Sequence, residues 1–340
     1  MRRSGARPIL VRVLPVVTWL AAAAPVAAHG DVPPDPPTVT NLLFGWSFPV
    51  VPTLGILAAV AWWTWAVGRV NAVHPDNRVP RRRSVAFGAG LLALGFALAS
   101  GIERYDTTLF SVHMVQHLLL TMVAAPLIAL SAPITLLLRV AAPATRQRVI
   151  LPVLHSRILR IVTFPAVAWL AIAGVMWATH FSPLFDAALE DPIAHDLEHA
   201  LFLGTALLFW WPAVNADPSP WRMSHPVRAL YTFLQMPQNT FLAVVLLSAS
   251  APLYPHYATL NVAWLSSAID DQRLAAGIMW LGGDILFIAA VGAIVWGWMR
   301  AEEAATVRSD RRADEELARI RTREAALAER RAERVDSAER

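Results

Sequence analysis

Cysteine is absent from this chain, and so is lysine. Without a thiol there is no disulfide framework, no thiolate zinc site and no iron–sulfur cluster. Any transition metal must be held by histidine, methionine, carboxylate or carbonyl groups. Charge is scarce as well: 16% of the 340 residues are charged, where a soluble domain carries about 25%. In its place stand 56% hydrophobic residues and a mean hydropathy of +0.46. That balance predicts an all-α membrane protein with several spans, its partner the lipid bilayer. The pI of about 10.2 does not imply a nucleic-acid partner, because the arginines sort by membrane side.

Residues 1–28 read as a secretory signal: four arginines, an apolar stretch from Val13 to Ala24, and the small residues Val26, Ala27 and Ala28 at the cut. An uncleaved first span is the other reading. Residues 29–45 form an extracytoplasmic leader, and the Pro- and Asp-rich run 29–41 is expected to be extended. A bundle of seven transmembrane helices fills 46–299, with spans near 46–67, 84–102, 112–138, 159–178, 197–214, 229–250 and 275–299. Pro126 and Pro133 predict a kink or break in the third. Residues 300–340 alternate arginine with acid and read as a solvated helical tail, with i, i+4 pairs such as Glu315 and Arg319.

Arginine counting sets the sides. Of the 29 arginines, 27 fall in one alternate set of loops and termini, and only Arg104 and Arg273 fall in the other. The positive-inside rule then puts the mature N-terminus outside and the tail in the cytoplasm of a multi-pass cell membrane protein.

This topology collects the chemistry on one face. His29, His113, His117, His180, His195, His199 and His256 lie outside, with 11 carboxylates. His113 and His117 are spaced i, i+4 in HMVQH at the mouth of span three. His195 and His199 repeat the spacing in HDLEH at the mouth of span five, and His180 ends span four. That spacing stacks two imidazoles on one helix face. Polar groups at membrane depth are costly and mark function. Neutral imidazole suits copper, zinc, nickel and iron, so His113, His117, His180, His195 and His199 are the candidate metal ligands. A hydrogen-bonded interfacial cluster is the bland alternative. Asp186, Asp196 and Glu198 are candidates for orienting the rings.

Other polar and soft residues weigh less. Asp284 sits deep in span seven, with Gln235 and Asn239 as possible partners. Met114, Met122, Met176 and Met279 are possible thioether ligands for Cu(I), though methionine in a span is usually packing. Trp46, Trp62, Trp63, Trp210, Trp211 and Trp298 near span ends read as an interfacial belt. If cleavage follows Ala28, the free amine and ring of His29 form a small copper-chelating group.

The chain resembles the multi-span CtaG-like cytochrome c oxidase assembly factors associated with caa-type oxidases. The matching stretches are HMVQH (His113 to His117) with Ala132-Pro133, Thr179-His180, HDLEH (His195 to His199), WWP (Trp210 to Pro212), PLYP (Pro252 to Pro255) and DQRLAAGIMW (Asp271 to Trp280). They cover about residues 42–300. The resemblance implies a seven-span, non-enzymatic protein that assembles the oxidase by supplying copper, with an oxidase subunit as its partner. The alternative is an intramembrane zinc hydrolase, because HDLEH fits H-x-x-E-H with Glu198 as general base. A haem or quinone protein with facing histidines as axial ligands is a third reading.

Overall fold

A computed structural model describes residues 32–260, 262–265 and 267–339, with side chains as far as Leu327. The signal-peptide reading and His29 lie outside the described residues. Among the described residues the chain is helical, with no strand. Six helices are long and apolar enough to cross a bilayer: Val50–Val73, Arg81–Tyr105, Phe110–Val140, Pro192–Val214, His225–Ser248 and Ala268–Leu327. The pair Pro165–His180 and Leu184–Glu190, bent by 72°, makes a seventh if it counts as one span and is otherwise a re-entrant loop. Pro165–His180 alone is about 24 Å long at helical rise, short of a hydrocarbon core of about 30 Å. We number the spans one to seven in chain order, with the bent pair as the fourth.

The leader is less extended than expected. Val39–Phe44 is a short helix, because Thr38 and Asn41 form a reciprocal capping box. It is tied down by Tyr105, whose hydroxyl donates to Asp35 O at 3.0 Å, and by Trp264, which donates to Pro33 O at 3.0 Å.

The third span breaks twice. A π-helical segment, Leu119–Ala124, precedes Pro126, and Ala132 takes a left-handed conformation (φ 57°) before Pro133 restarts the helix. The restart is capped from elsewhere. Asp217 accepts from Ile134 N at 3.0 Å and from Thr135 N at 2.6 Å, satisfying amides that a helix start leaves open. Spans two and three touch at Gly90, where a side chain's Cβ would meet Ile128 Cγ1 at 2.9 Å. Small residues of this kind let membrane helices approach.

Two tryptophans read as interfacial are core residues. Trp63 stacks on Phe87 at 4.0 Å between centroids, and Trp210 is buried with its indole donating to Thr121 O at 2.7 Å. Leu54, Trp65, Leu92, Phe241, Leu281 and Ile285 face outward, as a lipid-facing surface requires.

Among the described residues, those up to Ala290 form one compact unit and those from Val291 a second. In the second, the helix begun at Gly283 runs on to Glu339. The tail's apolar residues Leu317, Ile320 and Leu327 are exposed. Its i, i+4 pair joins Glu315 to Arg311 at 3.1 Å, one turn before Glu315 and not to Arg319 one turn after it.

Candidate metal centre

Spans three and five bring their N-terminal turns together. Leu109 caps the third helix with extended backbone, and His113 and His117 follow in its first two turns. The fifth begins at Pro192, with the Asp191 carboxylate accepting from Ala194 N at 2.8 Å, so His195, Glu198 and His199 fall in its first two turns. The ring centroids are 4.2 Å apart within each pair. Across the helices, His113 lies 5.9 Å from His195 and 6.4 Å from His199, and His117 lies 6.1 Å from His199. All four side chains are buried.

Carboxylates complete two three-donor groups: His113, His117 and Glu198, and beside it Asp106, His195 and His199. In each, one ligand atom per residue lies within 4.8 Å of the others. Bonds of about 2 Å around one ion need donors about 3–4 Å apart, so small side-chain adjustments close either group. His195 Nε2 stands 3.3 Å from Asp106 Oδ2, and His113 Nε2 stands 3.8 Å from Glu198 Oε2. The second distance is beyond a hydrogen bond. Both ring nitrogens of His113 and both oxygens of Glu198 are buried with no protein hydrogen-bond partner. Such groups cost about 1–3 kcal/mol each when nothing meets them. A cation meets one ring nitrogen of His113 and the Glu198 carboxylate together, so the donor set fits a metal.

A second layer orients the rings. Gln116 Nε2 donates to Ala97 O at 2.9 Å and to Glu103 Oε2 at 2.7 Å. Both amide hydrogens are thereby used, and Oε1 faces His199 Nε2 at 3.1 Å. An oxygen there accepts, so His199 carries its proton on Nε2 and presents the Nδ1 lone pair. Asp106 is held by Thr107 N–H at 2.5 Å through Oδ1, and its backbone carbonyl takes the Tyr257 hydroxyl at 2.7 Å. Burial pushes the Tyr257 phenol above its usual range, which keeps that donor protonated. Phe185 packs edge-on to His113 at 4.9 Å and Phe202 covers His117 at 4.1 Å, walling the donors with apolar rings.

Four of the five predicted ligands therefore meet. His180 belongs to neither three-donor group. Phe185, 5.4 Å from it, packs on both His180 and His113. Of the three acids expected to orient rings, Glu198 is itself a donor. Asp186 accepts from His256 N at 3.2 Å instead, and Asp196 stands outside both groups. Asp106 and Glu103 were not singled out by sequence pattern. The available signal was two acids in IERYD, just before HMVQH. Asp284 takes the Thr240 hydroxyl at 3.3 Å, while Asn239 donates to Met279 O at 3.0 Å, so Asn239 is not its partner.

The sequence model of one family, described as cytochrome c oxidase caa3 assembly factor, matches residues 61–301. An uncharacterised protein of Mycobacterium bovis and one of Mycobacterium tuberculosis are each 31% identical over 293 residues, covering 84% of this chain and 44% of theirs. An uncharacterised protein of Mycobacterium leprae is 28% identical, over 83% of this chain and 43% of its own. The chain thus spans less than half the length of these curated relatives. No solved structure matches.

Proposed function

The chain belongs to the family of cytochrome c oxidase caa3 assembly factors, and from that premise we propose that it supplies copper to the oxidase. His113, His117, His195 and His199, with Asp106 and Glu198, hold the ion at the extracytoplasmic face and release it to an oxidase subunit by ligand exchange. The observation that carries this reading is the pair of buried His–carboxylate groups on neighbouring helix ends. Their donors are hydrogen-bond orphans at His113 and Glu198. Copper is favoured by the family's client and by imidazole donors in a chain without thiols. The outward orientation rests on the arginine distribution, 27 against 2. No catalytic step is part of this reading.

The test is metal analysis of the purified protein, together with the copper content of the oxidase in cells lacking the chain. Wild type is expected to carry copper, the double variant His113→Ala/His195→Ala to carry less of it, and the oxidase of cells lacking the chain to be copper-poor. Equal copper in wild type and variant overturns the reading. Both histidines of HDLEH share one group with Asp106, as a zinc hydrolase also requires. Zinc in place of copper, with an activity lost in Glu198→Gln, would select that alternative.

A further inference from the structure

Below the His–carboxylate groups lies a small cavity of about 50 Å³. Met114, Met122, Met176 and Met279 line it, together with His117 and His180. The whole chain has only eight methionines, so half of them meet at one internal space. They arrive on three spans, the third, fourth and seventh. Met114 and Met279 are almost fully buried.

His180 decides what this space is for. Its Nδ1 lies 2.7 Å from Met176 O, one turn back on the same helix. A carbonyl only accepts, so Nδ1 carries the proton and Nε2 keeps the lone pair. That Nε2 is buried and has no protein hydrogen-bond partner, and His117 Nε2 is in the same condition. A lone pair so held is the arrangement of a metal-ligating histidine, its far nitrogen fixed by a backbone carbonyl. No Asp, Glu or Arg is among the described residues lining the cavity. A donor set of thioethers and imidazoles without carboxylates favours a soft monovalent ion, because thioether sulfur selects Cu(I).

We propose that this cavity is a separate Cu(I) site, with His180 and His117 as imidazole ligands and Met176, Met279, Met114 and Met122 as the thioether set. It deepens the copper reading and rests on it for the identity of the ion. His117 borders both the cavity and the His113–Glu198 group, so the two sites adjoin through one ring. The site also gives His180, which stands apart from both carboxylate groups, a ligand's role.

The experiment uses the full chain purified in detergent under reducing conditions and loaded with Cu(I). With selenomethionine in place of methionine, X-ray absorption at the selenium edge reports a Se–Cu contact with no substitution at all. That contact is expected, and its absence overturns the proposal. In parallel, Cu(I) affinity is measured by competition with a chromogenic chelator. Met176→Leu/Met279→Leu conserves volume and is expected to weaken Cu(I) at least tenfold and to remove the selenium contact of those positions. His113→Ala/His195→Ala is expected to keep the Se–Cu contact while losing the copper held by the His–carboxylate groups. Unchanged Cu(I) affinity in the leucine variant overturns the proposal. A Se–Cu contact in a chain whose loss leaves oxidase copper unaltered sinks the delivery reading and supports the cavity. No Se–Cu contact in a chain whose loss empties the oxidase does the reverse.

Discussion

Among single residues, Gln116 has the most leverage on the centre without being a donor to it. It spans Ala97 O, Glu103 and His199 with one amide group, which sets the proton of the His199 ring. Residues that orient metal ligands typically change metal affinity about 10–100-fold when lost. Gln116→Met keeps the volume and removes the orientation, so copper affinity is expected to fall within that range while the protein remains folded. Competition titration of the purified variant checks this, and unchanged affinity would show that the ring is oriented by something else. The histidines themselves were legible in the sequence because i, i+4 spacing is a local property of a helix. Asp106 was not, because it stands between two helices and meets His195 only through the packing of spans two, three and five. Glu198 was visible as an acid beside the rings, but nothing in HDLEH tells that its carboxylate also faces His113 of another span.

At the scale of elements, the third span shows how a proline is accommodated at membrane depth. Pro126 has no N–H, and Ala125 N–H bonds five residues back to Leu120 O in the π-helical turn. The Thr121 carbonyl is therefore left without a helical donor, and the indole of Trp210 supplies one at 2.7 Å. The prolines predicted a break, and the break is there. What the sequence could not reveal is that a tryptophan read as interfacial repairs it from span five. Trp210→Phe keeps the ring and loses the N–H. It is expected to cost about 0.6–2 kcal/mol, the range of hydrogen bonds between membrane helices, and to lower the thermal midpoint in detergent. An unshifted midpoint would mean that Thr121 O finds another donor. Asp217 plays the equivalent part at the second break, capping the helix that restarts at Pro133. Asp217→Ala is expected to cost about 1–2 kcal/mol, as loss of a strong cap does. Because Asp217 follows the end of span five opposite to His195 and His199, copper affinity in the same preparation should stay unchanged.

For the whole molecule, apolar runs and prolines predicted seven spans, and the described helices give six with shifted ends and a bent pair where the seventh was expected. The first reaches Val73 rather than 67, and the fourth is a short helix and a bent one instead of a straight crossing. The bend follows from Ser182 and Pro183, which interrupt the helix after His180 and carry Phe185 against the centre. Sidedness rests on a different kind of argument, the sorting of arginine, and it has a direct measurement. A chain with no native cysteine needs no background removed before single cysteines are introduced. Asp76 is exposed in the loop after span one, and Thr259 is exposed between spans six and seven. With the histidine face outward, Thr259→Cys in intact cells is expected to react with a membrane-impermeant maleimide. Asp76→Cys should react only after the cells are permeabilised. The opposite pattern would turn the molecule over and place the His–carboxylate groups on the cytoplasmic side. Copper could then be taken up there but not handed to an oxidase subunit outside, so the labelling result bears on the delivery reading as directly as the metal content does.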